Sequence, residues 1–215
     1  MQHAVWVRIT HWIHALCFLA LVVSGAAILI AHPRFYWGET GYFDTPAAFE
    51  LPLPLNLDQT GWGRSLHFLA AWITVMNGVF YVIFGCIFRH FWRVLMPNRT
   101  RPSQKEPNEQ VRHSVSASYG HFQGLTYLGV IFVLLPVMIL SGLTLSPAVT
   151  AACPGLFVLF QGRQSARTIH FLAAIVLIVF LLVHVAMTIL TGFGRNMRAM
   201  VMSTTPEMAA SQEEA

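Results

Sequence analysis

Two histidines, His170 and His184, stand fourteen residues apart inside one uncharged run from Thr168 to Gly194. In an α-helix, fourteen steps of about 100° return to within roughly 40° of the starting direction and climb about 21 Å. One helix therefore carries two imidazoles on one face, near opposite edges of a hydrocarbon layer about 30 Å thick. Ionisable side chains at such depth are costly and need partners. The rest of the chain has to supply them.

The cations mark out the other helices. The chain is 55% hydrophobic and only 10% charged, against about 25% charged in ordinary soluble domains. Uncharged stretches lie between Arg8 and Arg34, Arg64 and Arg89, and Arg167 and Arg195, each long enough for a span of about 20 residues. The stretch from His113 to Gly162 is too long for one span. It divides into a helix from about Phe122 to Leu145, bent at Pro136, and a connecting segment, Ser146 to Gln164, in which Pro147, Pro154 and Gly155 oppose a second crossing. The expected fold class is all-α, an integral membrane four-helix bundle.

Lysine and arginine orient it. Arg8, Arg89, Arg93, Arg99, Arg101, Lys105, Arg112, Arg195 and Arg198 fall on one side, against Arg34, Arg64, Arg163 and Arg167 on the other. The positive-inside rule then places both termini and the middle loop in the cytoplasm. The first outer loop, His32 to Trp62, carries Glu39, Asp44, Glu50 and Asp58 together with Phe35, Tyr36, Trp37 and Trp62, candidate contacts for an extracytoplasmic partner. Residues 1–202 are expected to form one transmembrane domain and residues 203–215 a disordered cytoplasmic tail. Cleavage of the first apolar run as a signal peptide is not expected: the run is too long, Ala31-His32-Pro33 is a poor cleavage site, and His11 and His14 would be lost.

Cys17, Cys86 and Cys153 are widely separated and no Cys-x-x-Cys-His occurs, which argues against covalent haem attachment and iron–sulfur ligation. No phosphate loop, zinc-protease motif or nucleophile elbow is present, so no catalytic residue is assigned and no nucleic-acid partner is expected. Depth then sorts the histidines. His11 and His14 open the first span near the inner edge, and His67 opens the second near the outer edge. His67 pairs with His170, and His11 or His14 with His184. Gly25 follows His11 by fourteen residues and Gly78 follows His67 by eleven, so each ligand helix has a glycine where a cofactor at the other depth could press close. Glycine also serves ordinary helix packing.

Two nitrogens at each depth, with no carboxylate or thiolate beside them, are too few for a closed zinc site but match the two axial positions of a macrocycle. A haem with both axial positions filled has no open site for substrate and is suited to electron transfer. Arg64, Arg163 and Arg167 outside, and Arg8, Arg89 and Arg195 inside, stand where the anionic propionates would need partners, although interfacial anchoring would place arginines similarly.

The motifs Arg8-Ile9-Thr10-His11-Trp12, Gly63-Arg64-Ser65-Leu66-His67, the segment from Tyr119 through Ser141-Gly142-Leu143, and the pair His170 and His184 together resemble the bacterial cytochrome b561-like family. More narrowly, they are similar to di-haem cytochrome b subunits of thiosulfate reductase, nickel–iron hydrogenase and formate dehydrogenase. The resemblance covers Val5 to Arg198. It implies two non-covalent b haems, with His11 rather than His14 as the inner ligand. It also implies a multi-pass protein of the bacterial inner membrane, bedded in lipid, that carries electrons between the quinone pool and an extracytoplasmic partner of the molybdopterin or hydrogenase type. An alternative within the same fold is a self-contained quinone oxidoreductase fed by a small donor such as superoxide, for which the acidic outer loop is a poor funnel.

Overall fold

The computed structural model describes residues 5–41, 45–54, 60–87, 126 and 129–201, without the side chains of residues 60, 195, 196 and 199. Its elements in chain order are α1 (Val5–Ala31), the two-residue strands β1 (Arg34–Phe35) and β2 (Phe49–Glu50), α2 (Thr60–Ile87), a π-helical turn (Val130–Leu134) running into α3 (Leu135–Thr144), the short helices α4 (Pro147–Ala152) and α5 (Gly155–Leu159), α6 (Arg163–Leu190) and α7 (Phe193–Val201). Helices α1, α2 and α6 are long and apolar enough to cross a membrane, and Val130–Thr144 is a shorter apolar helix. The fold is thus mainly helical, with three to four helices capable of spanning. The expected start of the third helix at Phe122 and the tail 203–215 lie outside the described residues.

The chain parts into two compact units, the first comprising Met1–His32, Leu53–Ile83 and Val179–Ala215, the second Pro33–Pro52 and Phe84–Ile178. In the first unit, α1 and α2 meet along small residues. On α1 the buried positions Thr10, Cys17, Ser24 and Ala31 recur every seven residues, with Ala27 between the last two. Gly63, Ala70 and Asn77 repeat the interval on α2. This is the seam of two helices packed at a shallow left-handed angle, and small residues let the backbones approach without a hydrophobic driving force in lipid. A Cβ on Gly63 would stand 3.0 Å from that of Ala27. The Asn77 amide donates to the Thr10 carbonyl at 2.8 Å, and Trp6 packs on Tyr81. The broad outer faces stay apolar and exposed, among them Leu16, Leu19, Trp72 and Met76.

In the second unit, the bend expected at Pro136 has a local cause. Proline has no N–H to donate into the preceding turn, and the five residues before α3 wind as a π-turn, an adjustment helices make where regular bonding is interrupted. The connecting segment winds into α4 and α5 and turns back at Gln161 and Gly162, both at positive φ. A Cβ on Gly162 would fall 2.5 Å from the Gly38 carbonyl oxygen, and that carbonyl accepts from the backbone of Gln164 and Ser165 at the start of α6.

The described residues 33–41 and 45–52 of the outer loop form a strap. Its antiparallel ladder pairs Arg34 with Glu50 and Phe35 with Phe49. Phe35 stacks on Phe49 and Phe171, with centroids 4.7 and 4.5 Å away. Thr168 donates its hydroxyl to the Tyr36 carbonyl. Phe35 and Tyr36 are 1% and 8% exposed, which corrects their expected role as partner contacts: the Phe35 ring covers α6 at Phe171, and the Tyr36 ring packs beside Gly41 within the strap. Trp37 and Trp62 remain exposed.

Candidate functional site

The histidines divide by what fixes their rings. Residues on α1 and on the end of α6 within the first unit bring His11 and His184 together, with ring centroids 6.4 Å apart and planes inclined by 59°. Phe180, one helical turn before His184, lies against its ring at 6.2 Å, and Trp12 meets His11 edge-on at 5.8 Å. His184 is exposed and His11 half-buried.

His14 is engaged differently. Its Nδ1 lies 3.1 Å from the Thr10 carbonyl one turn back, and the Asn77 amide closes on the same nitrogen. The Nε2 points toward Gly78, whose Cβ would stand 4.0 Å away. Gly78, expected to admit a cofactor, therefore neighbours His14 within the packed seam.

His67 is also held by its Nδ1, here from another helix. Ser24 on α1 gives its single proton to the Ala20 carbonyl at 2.6 Å, so its oxygen accepts from the His67 Nδ1–H at 3.0 Å, and the Leu21 carbonyl is a further acceptor. Gly25 leaves room for the ring, since its Cβ would stand 3.6 Å from the imidazole Cε1. In the second unit, His170 Nδ1 is 3.0 Å from the Met138 carbonyl and 3.1 Å from the Ser141 hydroxyl. A carbonyl can only accept, so the proton sits on Nδ1. With Nδ1 protonated, a neutral imidazole presents its Nε2 lone pair, the form that binds a metal.

The arginines take several settings. Arg8 lines an open apolar groove with Trp12 and Met200, where Trp12 Nε1 also donates to the Met200 carbonyl. Arg64 and Arg163 are exposed. Arg167 lies over the Phe35 ring at 4.9 Å and donates to the Arg34 carbonyl, so one face of its guanidinium supports the strap. The side chain of Arg195 lies outside what is described, as do His3, His90, His113 and His121. His32 is exposed.

Sequence reasoning singled out the histidines and glycines, quoted Ser141 only within the family motif and gave no role to Ser24, Ser141 or Asn77. All three are buried polar side chains on apolar helices, each touching a histidine. The signal was available: Ser-Gly occurs once in α1 and again in α3. Among the described residues, no three histidine, cysteine or acidic side chains gather as a protein-only metal site.

Residues 2–203 match the family described as prokaryotic cytochrome b561. The chain is also 31% identical over 205 residues to a protein of Azospira oryzae named "Putative protein-methionine-sulfoxide reductase subunit YedZ1", covering 93% of this chain and 94% of that one. No solved structure matches it significantly. A match across nearly the whole length, joined to apolar spans and imidazoles fixed with one nitrogen presented, places this chain in the prokaryotic cytochrome b561 family.

Proposed function

We propose that this protein is a membrane-anchoring cytochrome b that binds two non-covalent haems and passes electrons between quinone and an extracytoplasmic oxidoreductase. The carrying observation is the 6.4 Å between the rings of His11 and His184. Two imidazoles bound linearly to one metal at about 2.0 Å per nitrogen would have centroids about 6.3 Å apart. The spacing is too long for ring stacking and fits a shared metal. It also favours His11 over His14, whose Nδ1 is drawn toward Thr10 and Asn77.

The outer pair, His67 and His170, rests on the depth argument from sequence. It is supported by the Nδ1 anchoring seen at each histidine within its own unit. Haem held by His11 and His184, and by His67 and His170, would supply a one-electron couple. The chain's part is to fix the imidazoles, exclude water with its apolar helices, and meet anionic groups at the membrane edge with Arg64 and Arg163 outside and Arg8 and Arg195 inside. Arg167 adds charge there while supporting the strap. Gly25 and Gly78 relieve crowding at the ring edges.

The positive-inside bias supports cytoplasmic termini, a fourth span between residues 122 and 145, and residence in the bacterial inner membrane as one domain over residues 1–202. The relative's printed name, a subunit of a protein-methionine-sulfoxide reductase, supports service to a partner enzyme, as do the absence of an assigned catalytic residue and the exposed Trp37 and Trp62. A molybdopterin enzyme is the partner type proposed, with hydrogenase as the other.

Purified protein should give a six-coordinate b-type spectrum and about two haems per chain by pyridine haemochrome. His184→Ala and His11→Ala should each remove the same haem, while His14→Ala should retain it. One haem per chain would sink the di-haem reading, and loss of the inner haem in His14→Ala alone would reassign the ligand. Rapid quinone reduction by superoxide in the purified chain would favour the self-contained alternative.

A further inference from the structure

We infer that the protein carries one histidine-holding device twice, once in each unit, and that Ser24 and Ser141 are its positioning residues. The histidine half is legible as a repeat. Arg64-Ser65-Leu66-His67-Phe68-Leu69-Ala70-Ala71 on α2 matches Arg167-Thr168-Ile169-His170-Phe171-Leu172-Ala173-Ala174 on α6, with six identities and two close replacements over eight residues. The receiving half repeats too: Leu21-Val22-Val23-Ser24-Gly25 on α1 corresponds to Met138-Ile139-Leu140-Ser141-Gly142 on α3. Shared apolar residues alone would mean little in membrane helices. The coincident Arg, His, Ser and Gly are not explained by hydrophobicity.

Structure makes the correspondence chemical. In each unit the serine and the carbonyl three residues before it face the Nδ1 of the matching histidine: Ser24 and Leu21 for His67, Ser141 and Met138 for His170. In each, the glycine after the serine lies against the imidazole Cε1. Burial corresponds as well. Ser24 and Ser141 are both fully buried, Ala70 and Ala173 are both buried, and Gly63 and its counterpart Ala166 are both buried.

The repeat also shows what is not duplicated. The positions matching His11 and His184 in the other repeat are Leu128 and Tyr81. Of the proposed ligands, only the outer pair, His67 and His170, occupies matching positions in the two copies.

The device sets the Nδ1–H tautomer and aims Nε2. Groups that hold the far nitrogen of a ligating histidine raise its basicity, and their removal weakens metal binding roughly tenfold or more. This inference takes the haem ligation proposed above as its setting, and two measurements keep the two apart. The first is a redox titration with optical spectra on the purified full-length chain. Ser24→Ala and Ser141→Ala should each raise the midpoint potential of the haem held by the matching histidine and leave the other unchanged. Because depth assigns His67 and His170 to the same haem, the same spectral component should move in both variants. Ser24→Thr and Ser141→Thr should restore it by returning the hydroxyl. Unchanged potentials, a shift in the other component, or failure of both threonines to restore would overturn the inference, and the haem reading would stand.

The second measurement needs no haem. In protein labelled with 15N-histidine, His67 and His170 should be mainly Nδ1–H tautomers, and each Ser→Ala change should raise the Nε2–H fraction at its own histidine only. Haem-free protein that showed this behaviour would uphold the device, and if haem added back to it gave no six-coordinate spectrum the ligation reading alone would fall. Nε2–H tautomers in the unaltered chain would refute the device.

Discussion

In the first unit the His67 imidazole rests 3.6 Å from where a Cβ on Gly25 would stand, whereas in the second His170 comes within 3.0 Å of the same point on Gly142. The same residue types hold the two rings, yet the close point has moved. In the first unit the tightest approach lies in the seam beside the serine, at Gly63, whose Cβ would meet Ala27 at 3.0 Å and the Ser24 carbonyl at 3.4 Å. The second unit has Ala166 in place of Gly63 and Thr144 in place of Ala27. The close approach is thus to a Cβ and a backbone oxygen in one copy and to the imidazole in the other.

Gly63→Ala should have the largest effect. Its added methyl meets another Cβ and a backbone oxygen, neither of which can swing aside. Overpacking of this kind costs about 1–3 kcal/mol, offset by about 1 kcal/mol of gained helix propensity. A lowered midpoint of thermal unfolding in detergent is expected, with altered retention of the haem assigned to His67. Unchanged stability would mean that the seam does not set the spacing.

Gly142→Ala should follow. Here the obstacle is a side-chain ring that can retreat by a few tenths of an ångström, so the fold should be less affected than the ligand. We expect partial loss of one haem, or a broadened signal from it, with a smaller change in unfolding midpoint than for Gly63→Ala. Gly25→Ala, at ordinary contact distance, should leave both haems in place. Loss of haem in Gly25→Ala would instead show that this glycine admits the macrocycle directly.

The two serines should differ as well. Ser24 has committed its proton to Ala20 at 2.6 Å and offers its oxygen squarely to His67. Ser141 shares His170 with a Met138 carbonyl that is slightly closer. Ser24→Ala should therefore shift its potential more than Ser141→Ala, and the reverse order would show that the Leu21 carbonyl dominates in the first unit.

Much of this was readable from spacing. Uncharged runs gave the spans, and the fourteen-residue interval put His170 and His184 on one helix because helical period and rise are fixed by the backbone. The inner histidine is ambiguous in sequence because His11 and His14 are one turn apart, and what supports the proposal of His11 is long-range: its ring spacing to His184 and the Asn77 contact at His14, which joins residues 63 positions apart. The strap was misread at Phe35 and Tyr36 because an aromatic near a membrane edge looks alike whether it faces lipid, partner or its own helix. Ser24 and Ser141 were hidden for a different reason: a serine in a span normally bonds its own helix, as both do here, and only the neighbouring helix reveals the second role.

The smallest effect is expected where the second unit has something the first lacks, the strap and its ion pair. Arg34 and Glu50 approach to 3.0 Å with both side chains partly in solvent. The hydrogen bond that Arg34 donates to Glu50, opposed in part by desolvation and aided by the carboxylate's charge, holds the Arg34 guanidinium above its ordinary range. A raised folded-state value contributes stability that is complete below the unfolded pKa and fades only as pH climbs through the folded one. For an arginine that window lies far above any assay pH. Arg34 should therefore impose no pH dependence on the strap, and an exposed pair of this kind is weak and screened by salt. Glu50→Gln should leave the unfolding midpoint and both haem spectra unchanged within error at low and high salt. The ladder's backbone bonds and the stacking of Phe35 on Phe49 and Phe171 do not depend on the charge. A salt-sensitive loss of stability in Glu50→Gln would show that the ion pair, rather than aromatic packing against α6, holds the strap in place.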